Sequence, residues 1–279
     1  MAKIKKTLST IGIWLGLQIA VTVPFAIVAA VRKQDMMDVL APALLIADAA
    51  VILVLWAIRY FKIKELFKGV PAEVLLLSLV LGFAALYAVD ILTIPFNIPN
   101  YMEDAFDAMS KSILGFLGIC IVGPVMEEIM MRRIILTEIR EATGKKWLGI
   151  IISAAIFAIV HGNPIQVVFA MPAGILLGWL YCRTGSLLVP ICVHIMNNTF
   201  SFITMRVGAG EPMAFSDTWT QIQLWSCIAV TVLLIIWMVS YYRKKEKLEA
   251  EEALAQAAAV NEEPMEVPVE TVEETRTEE

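Results

Sequence analysis

Residues 122–133 read VGPVMEEIMMRR. Two adjacent glutamates, Glu127 and Glu128, interrupt an apolar run long enough to form a membrane-spanning helix. Ionisable groups at membrane depth are costly, so they face a cavity or a partner rather than lipid. The chain has two histidines, His161 and His194, and both also fall in apolar runs.

The surrounding composition agrees with a membrane setting. Of the 279 residues 59% are hydrophobic, against about 45–50% in soluble domains, and the mean hydropathy is +0.74. Apolar runs at 8–31, 39–58, 71–94, 112–131, 147–162, 165–182, 186–205 and 221–242 are each near the roughly 20 residues that cross a bilayer as helix. Hydrocarbon offers an open strand edge no hydrogen-bond partner. The predicted fold is therefore all-α, a polytopic membrane helix bundle of about eight transmembrane helices. The basic start MAKIKK leads into an apolar run that continues to Val31 without a small-residue cleavage site, so it reads as a retained first span.

Charge assigns the two sides. Lys3, Lys5, Lys6, Arg59, Lys62, Lys64, Lys68, Arg132, Arg133, Arg140, Lys145, Lys146, Arg183, Arg243, Lys244, Lys245 and Lys247 lie at one set of connections. The alternate set holds only Arg32, Lys33, Lys111 and Arg206 among several acids. Cytoplasmic connections retain Lys and Arg, so both termini are expected in the cytoplasm, in a protein of the cell membrane. The net charge of −5 comes largely from the segment after Lys247. It indicates no partner surface, and nothing points to nucleic acid. That segment is acidic and lacks aromatic residues, the composition of a disordered cytoplasmic tail, helical as far as about Val260. The expected organisation is N-terminal transmembrane helices over 1–110, a catalytic core over 111–205, a last span with flanks over 206–247, and the tail over 248–279. Cys120, Cys182, Cys192 and Cys227 form no CxxC pair and read as buried small apolar residues.

Three segments carry chemistry: EEIMMR at 127–132, FAIVH at 157–161 and HIMNN at 194–198. Glu128 and Arg132 are one helical turn apart and able to pair, while Glu127 is rotated about 100° away and free to act. Phe157 is one turn from His161, and His194 is one turn from Asn198. Gln18, Asp48 and Asp90 are further polar interruptions, with Asp48 expected to be protonated or hydrogen-bonded to a neighbouring helix. Gly174 and Gly178 form a GxxxG that admits a close helix neighbour, and Pro172 is expected to kink its span. Glu127 precedes Gly144 by as many residues as His161 follows it, so a hairpin turning at Gly144 brings both to one depth, roughly 25 Å from the turn. With His194 at a compatible depth, the expected cavity lies in the cytoplasmic half and opens toward the cytoplasm.

A carboxylate and an imidazole converging on one water make a general base. A second imidazole and an amide NH₂ suit a tetrahedral oxyanion. This is amide hydrolysis. In an equally open version, Glu127, His161 and His194 are three ligands for Zn²⁺, with a water in the fourth position; the cofactor is zinc or none. No HExxH, GxSG or GxGD motif occurs.

The order EExxxR, FxxxH, HxxxN resembles the CPBP family of intramembrane proteases, which includes type II CAAX prenyl endopeptidases and bacteriocin-processing, Abi-like proteins. The matching positions are Glu127, Glu128 and Arg132; Phe157 and His161; His194 and Asn198. The resemblance covers about 110–205. It implies water activation by Glu127 and His161, oxyanion stabilisation by His194 and Asn198, and support from Glu128 and Arg132. It also implies a membrane-associated peptide or protein as substrate. A rival reading is a non-catalytic scaffold, immunity protein or proton-coupled carrier using the same polar cavity.

Overall fold

Backbone in hydrocarbon must close its own hydrogen bonds, which favours helix throughout. The computed structural model describes residues 4–207 and 213–262, and among these no strand occurs. In chain order the helices are α1 (Lys5–Arg32), α2 (Met36–Ala57), the short α3 (Ile63–Leu66), α4 (Ala72–Thr93) and α5 (Glu103–Ser110), followed by α6 (Ile113–Thr143), α7 (Lys146–Val160), α8 (Pro164–Thr184), α9 (Leu188–Val207) and α10 (Thr218–Glu262). Seven of them are long and apolar enough to cross a membrane: α1, α2, α4, α6, α8, α9 and α10.

The fifth of the eight expected spans, 147–162, is α7 and falls short of crossing length. Its 15 residues make roughly 22 Å at 1.5 Å per residue, against about 30 Å of hydrocarbon. The chain stops there because Gly162, at φ 65°, turns it back into α8. His161 consequently sits at a hairpin tip. α7 and α8 approach closely at Gly174, where a Cβ would lie 2.8 Å from the Ala154 Cβ. A Cβ on Gly178 would meet Leu136 and Ile150. The two glycines of the GxxxG thus make room for a helix neighbour. α8 runs through Pro172 without breaking.

α6 is not a uniform α-helix. Over Leu117–Val122 and again over Ile129–Leu136 its turns are widened π turns, with Gly123–Glu128 in ordinary helix between them. Turns of this kind recur at functional sites.

At the end of the bundle that carries the basic connections, side chains lace the segments together. Arg133 donates to both carboxylate oxygens of Glu65, at 2.8 and 3.0 Å. Glu138 accepts from the backbone N–H of Lys6 at 2.8 Å and from Thr7. The Ser186 hydroxyl donates to the Lys68 carbonyl, and the Tyr60 hydroxyl donates to Ser9 at 3.1 Å. Four segments that are distant in sequence are therefore tied at one end.

By its contacts the chain divides into Met1–Ile235 and Ile236–Glu279. In the second unit the described part is helical, with Tyr241 stacked on Trp237 at 5.3 Å. Helix continues to Glu262, and the remainder of the acidic tail lies outside the described residues. Cys120 is buried, the other three cysteines are partly buried, and all four are free thiols.

The Glu65–Arg133 pair gives a pH test of the laced end. Arg133 holds the Glu65 carboxyl below its ordinary value of 4.5. A depressed carboxylate adds stability that is full above its unfolded-state value and is lost as pH falls through the folded-state one. Wild type should therefore melt above Glu65→Gln at pH 7, by no more than about 1 kcal/mol for a partly exposed pair. The gap should close on acidification below pH 4.5, read as thermal unfolding in detergent.

Candidate active site

The site is organised around a guanidinium with no access to water. Arg132 and Glu128 are both 0% exposed, and Arg132 Nη1 donates to Glu128 Oε1 at 2.9 Å. The second Arg132 nitrogen, Nη2, donates to the Gly174 carbonyl at 3.3 Å. The guanidinium carbon lies 4.8 Å from the centre of the Phe157 ring, a cation–π contact. Glu128 Oε2 and Arg132 Nε make no hydrogen bond, so one charge-assisted bond, not a two-pronged fork, joins the pair.

Glu128 has a second partner that spacing on α6 alone does not suggest. Its Oε1 lies 2.9 Å from His194 Nδ1. A carboxylate only accepts, so Nδ1 carries the proton and Nε2 is turned toward Glu127, whose Oε2 is 3.5 Å away. The Glu127 side chain is 27% exposed and faces the cavity. A buried carboxylate thus fixes the tautomer of the imidazole, and the imidazole faces a second carboxylate.

His161 is fixed in a similar way. Its Nδ1 lies 2.6 Å from the Phe157 carbonyl, which only accepts, so its Nε2 is the free nitrogen. The Phe157 ring stands edge-on to both imidazoles, with centroids 4.8 Å from His161 and 5.7 Å from His194. Phe157 is 2% exposed and touches both histidines as well as the Arg132 guanidinium.

Asn198 is engaged differently from the expected free donor. Gly123 N–H bonds to the Gly118 carbonyl in the π register. The next donor in that register belongs to residue 124, which is proline and has no N–H. Ile119 O is left without a backbone partner, and Asn198 Nδ2 supplies one at 2.9 Å. Asn197 Nδ2 in turn donates to Asn198 Oδ1 at 3.3 Å. A proline one turn before a polar pair was the available signal for this bond.

Two further polar contacts border the cavity. Gln18 Nε2 donates to Asp48 Oδ1 at 2.7 Å, so Asp48 has the interhelical partner its sequence position called for. Asn163 is 1% exposed; it donates to Asn100 Oδ1 at 2.9 Å and accepts from Tyr101 N–H at 3.0 Å. Sequence reading passed over Asn163, which ties the His161 hairpin tip to the 97–102 connection.

Glu127, Phe157, His161, His194 and Asn198 all line one cavity of about 730 Å³, within the range of about 300–1,000 Å³ for ligand sites. Its position differs from the cytoplasmic-half cavity expected above. The walls in α4 are Phe83 to Thr93, and those in α9 run from His194 to Met205. These are the halves of the helices remote from the laced basic connections, and the lining continues to Asn100 and Met102. The depth match, measured from the turn at Gly144, pointed to the cytoplasmic half, but it carried no information on which end is sealed.

The donor chemistry suits a metal, since both free Nε2 atoms and the Glu127 carboxylate face the cavity. Their arrangement does not: among the described residues no three His, Cys, Asp or Glu side chains are grouped to hold an ion.

Two double variants test this architecture through stability alone. Arg132→Met leaves Glu128 buried without its counter-charge and should cost roughly 3–5 kcal/mol, while Arg132→Met with Glu128→Gln should cost less. Asn198→Ala orphans the Ile119 carbonyl at about 1–3 kcal/mol, and adding Pro124→Ala, which restores a backbone N–H, should recover part of it. Thermal unfolding in detergent measures both pairs; strictly additive losses would refute the assigned couplings.

Residues 109–200 match the family model described as type II CAAX prenyl endopeptidase, Rce1-like. YdiL of Bacillus subtilis (strain 168), named as a candidate membrane peptidase, is 41% identical over 83 residues, 30% of this chain and 34% of that protein. The membrane-embedded CAAX protease MroQ of Staphylococcus aureus (strain USA300) is 35% identical over 92 residues, 30% of this chain and 36% of that protein. The match therefore spans about a third of the length of these relatives. No solved structure matches at a significant level. Over residues 109–200, which include every residue of the Glu–His–Asn site, the chain is similar to the Rce1-like type II CAAX prenyl endopeptidases.

Proposed function

We propose that this integral membrane protein is an intramembrane endopeptidase that hydrolyses a peptide bond in a membrane-associated protein or peptide. The observation that carries the reading is the relay Glu128–His194–Glu127. Nδ1 of His194 is held at 2.9 Å by a buried carboxylate, and its Nε2 lies 3.5 Å from a partly exposed one. The wider gap is too long for a strong direct hydrogen bond and too short for a water in line between the two atoms; a water on the cavity side, where Glu127 is partly exposed, can reach both.

In this mechanism Glu127 takes a proton from that water as its oxygen attacks the peptide carbonyl. The same proton then passes to the leaving amine nitrogen. His194 orients the water, and Glu128 balances any positive charge that its ring acquires. His161, whose Nε2 is left unbonded, lines the same cavity and serves proton transfer there. The Asn198 amide has two N–H bonds; one is used on Ile119, and the second is available to the oxyanion. The charge distribution of the connections supports a cell-membrane protein with both termini in the cytoplasm, since α7 and α8 form one hairpin that leaves from and returns to the basic end whatever the reach of α7.

Glu127→Gln, His161→Ala and His194→Ala should each lower cleavage of a membrane-tethered peptide by purified protein at least about 100-fold, the scale of general acid–base catalysis. Their thermal unfolding should stay close to wild type for Glu127→Gln and His161→Ala. Full activity in any one variant removes that residue from the mechanism, full activity in all three removes the mechanism, and no cleavage by the wild-type protein removes the function.

A further inference from the structure

The cavity has a direction. Its lining in α4 begins at Phe83, roughly three turns from the start of that helix at Ala72. In α8 it ends at Leu177, roughly two turns short of Thr184. Beyond these limits, toward the basic connections, lie the Glu65–Arg133 pair, the Glu138 contacts with the start of α1, and the Ser186–Lys68 bond. No lining residue belongs to the connections 58–71, 140–146 or 183–187. At the opposite end the lining includes Thr93, Asn100 and Met102, and Asn100 and Met102 are solvent-exposed.

Between that end and Glu127 the lining carries a cluster of three aromatic rings from α4 and α9, beside polar groups such as Asp90 and Ser201. Phe83 stacks on Tyr87 at 5.7 Å, and both meet Phe200 edge-on, at 5.1 and 6.1 Å. Rings in this arrangement present large apolar faces to an extended chain, and the polar groups that could act on its backbone stand beyond them. Lys and Arg mark the sealed end as cytoplasmic.

We infer that the substrate enters from the non-cytoplasmic face: the occupant is an apolar peptide segment of a membrane-tethered protein displayed on the outer side of the membrane, threaded past Phe83, Tyr87 and Phe200 to Glu127. This rests on the protease reading for what happens to the segment, and on the charge-derived orientation for which face is outer. The geometry of the seal stands apart from both.

The test uses the full-length chain with its four native cysteines replaced by serine, carrying Thr93→Cys or Gln166→Cys in the cavity, or Lys145→Cys at the laced end. Each variant is challenged with a membrane-impermeant maleimide in right-side-out and in inverted vesicles, and is used only where it purifies as folded protein. Thr93→Cys and Gln166→Cys should react several-fold faster in right-side-out vesicles, and Lys145→Cys only in inverted ones. The maleimide adduct at Gln166→Cys should also block cleavage of the tethered peptide. Cavity probes that react only in inverted vesicles, or from neither side, overturn the inference. Lys145→Cys reacting in right-side-out vesicles overturns the orientation and the outer-face assignment with it. If the expected labelling appears but no peptide is cleaved, the access route stands and the protease reading fails, so the two failures are distinguishable.

Discussion

A buried guanidinium holds this site together. Taking an arginine and a glutamate wholly out of water costs several kcal/mol per ion, and mutual attraction offsets that only in good geometry. Arg132 meets the demand with partners from three helices: Glu128 on its own α6, the Phe157 ring on α7 and the Gly174 carbonyl on α8. Glu128 then extends the same network to His194 on α9. Each element that contributes a reactive group is therefore fixed by contact with one ion pair. Displacing any one of these helices would expose a charge to hydrocarbon, and this penalty makes the cluster rigid in a setting where the hydrophobic effect does not hold helices together.

The parts of this arrangement that depend on one helix were legible in the sequence. Glu128 and Arg132 pair at their helical spacing, His161 meets Phe157 one turn away, and Gly174 and Gly178 admit α7. The parts that depend on two helices were not. His194 was read with Asn198 as a pair of oxyanion donors, but its Nδ1 is spent on Glu128 and the Asn198 amide is partly spent on Ile119. Neither bond follows from spacing along α9, since each partner lies more than sixty residues away. Asn163 is a similar case: its partners lie in the connection after α4, which periodicity cannot address.

The length of α7 shows how a shortfall in one element serves the site. A helix that crossed fully would carry its terminal residue to the water interface. Ending at Val160 and turning at Gly162, α7 instead presents His161 from the tip of a hairpin, where its backbone neighbours can be satisfied by Asn163 and the 97–102 connection. Non-helical backbone is tolerated where protein or a cavity surrounds it, and here the 97–102 connection and the cavity do so at the end remote from the basic connections. The interrupted register of α6 obeys the same rule, since Pro124 removes a donor and a side chain from α9 replaces it.

The matched segment and the cavity are not coextensive, and the difference separates chemistry from selection. Glu127, His161, His194 and Asn198 all fall within residues 109–200. Much of the wall facing them does not: Gln18 and Asp48 come from α1 and α2, and Phe83 and Tyr87 from α4. Changing those helices alters the shape and polarity met by an incoming chain without touching the Glu–His relay, whose members hold one another in place. In this chain the segments outside the match supply much of the wall that faces Glu127.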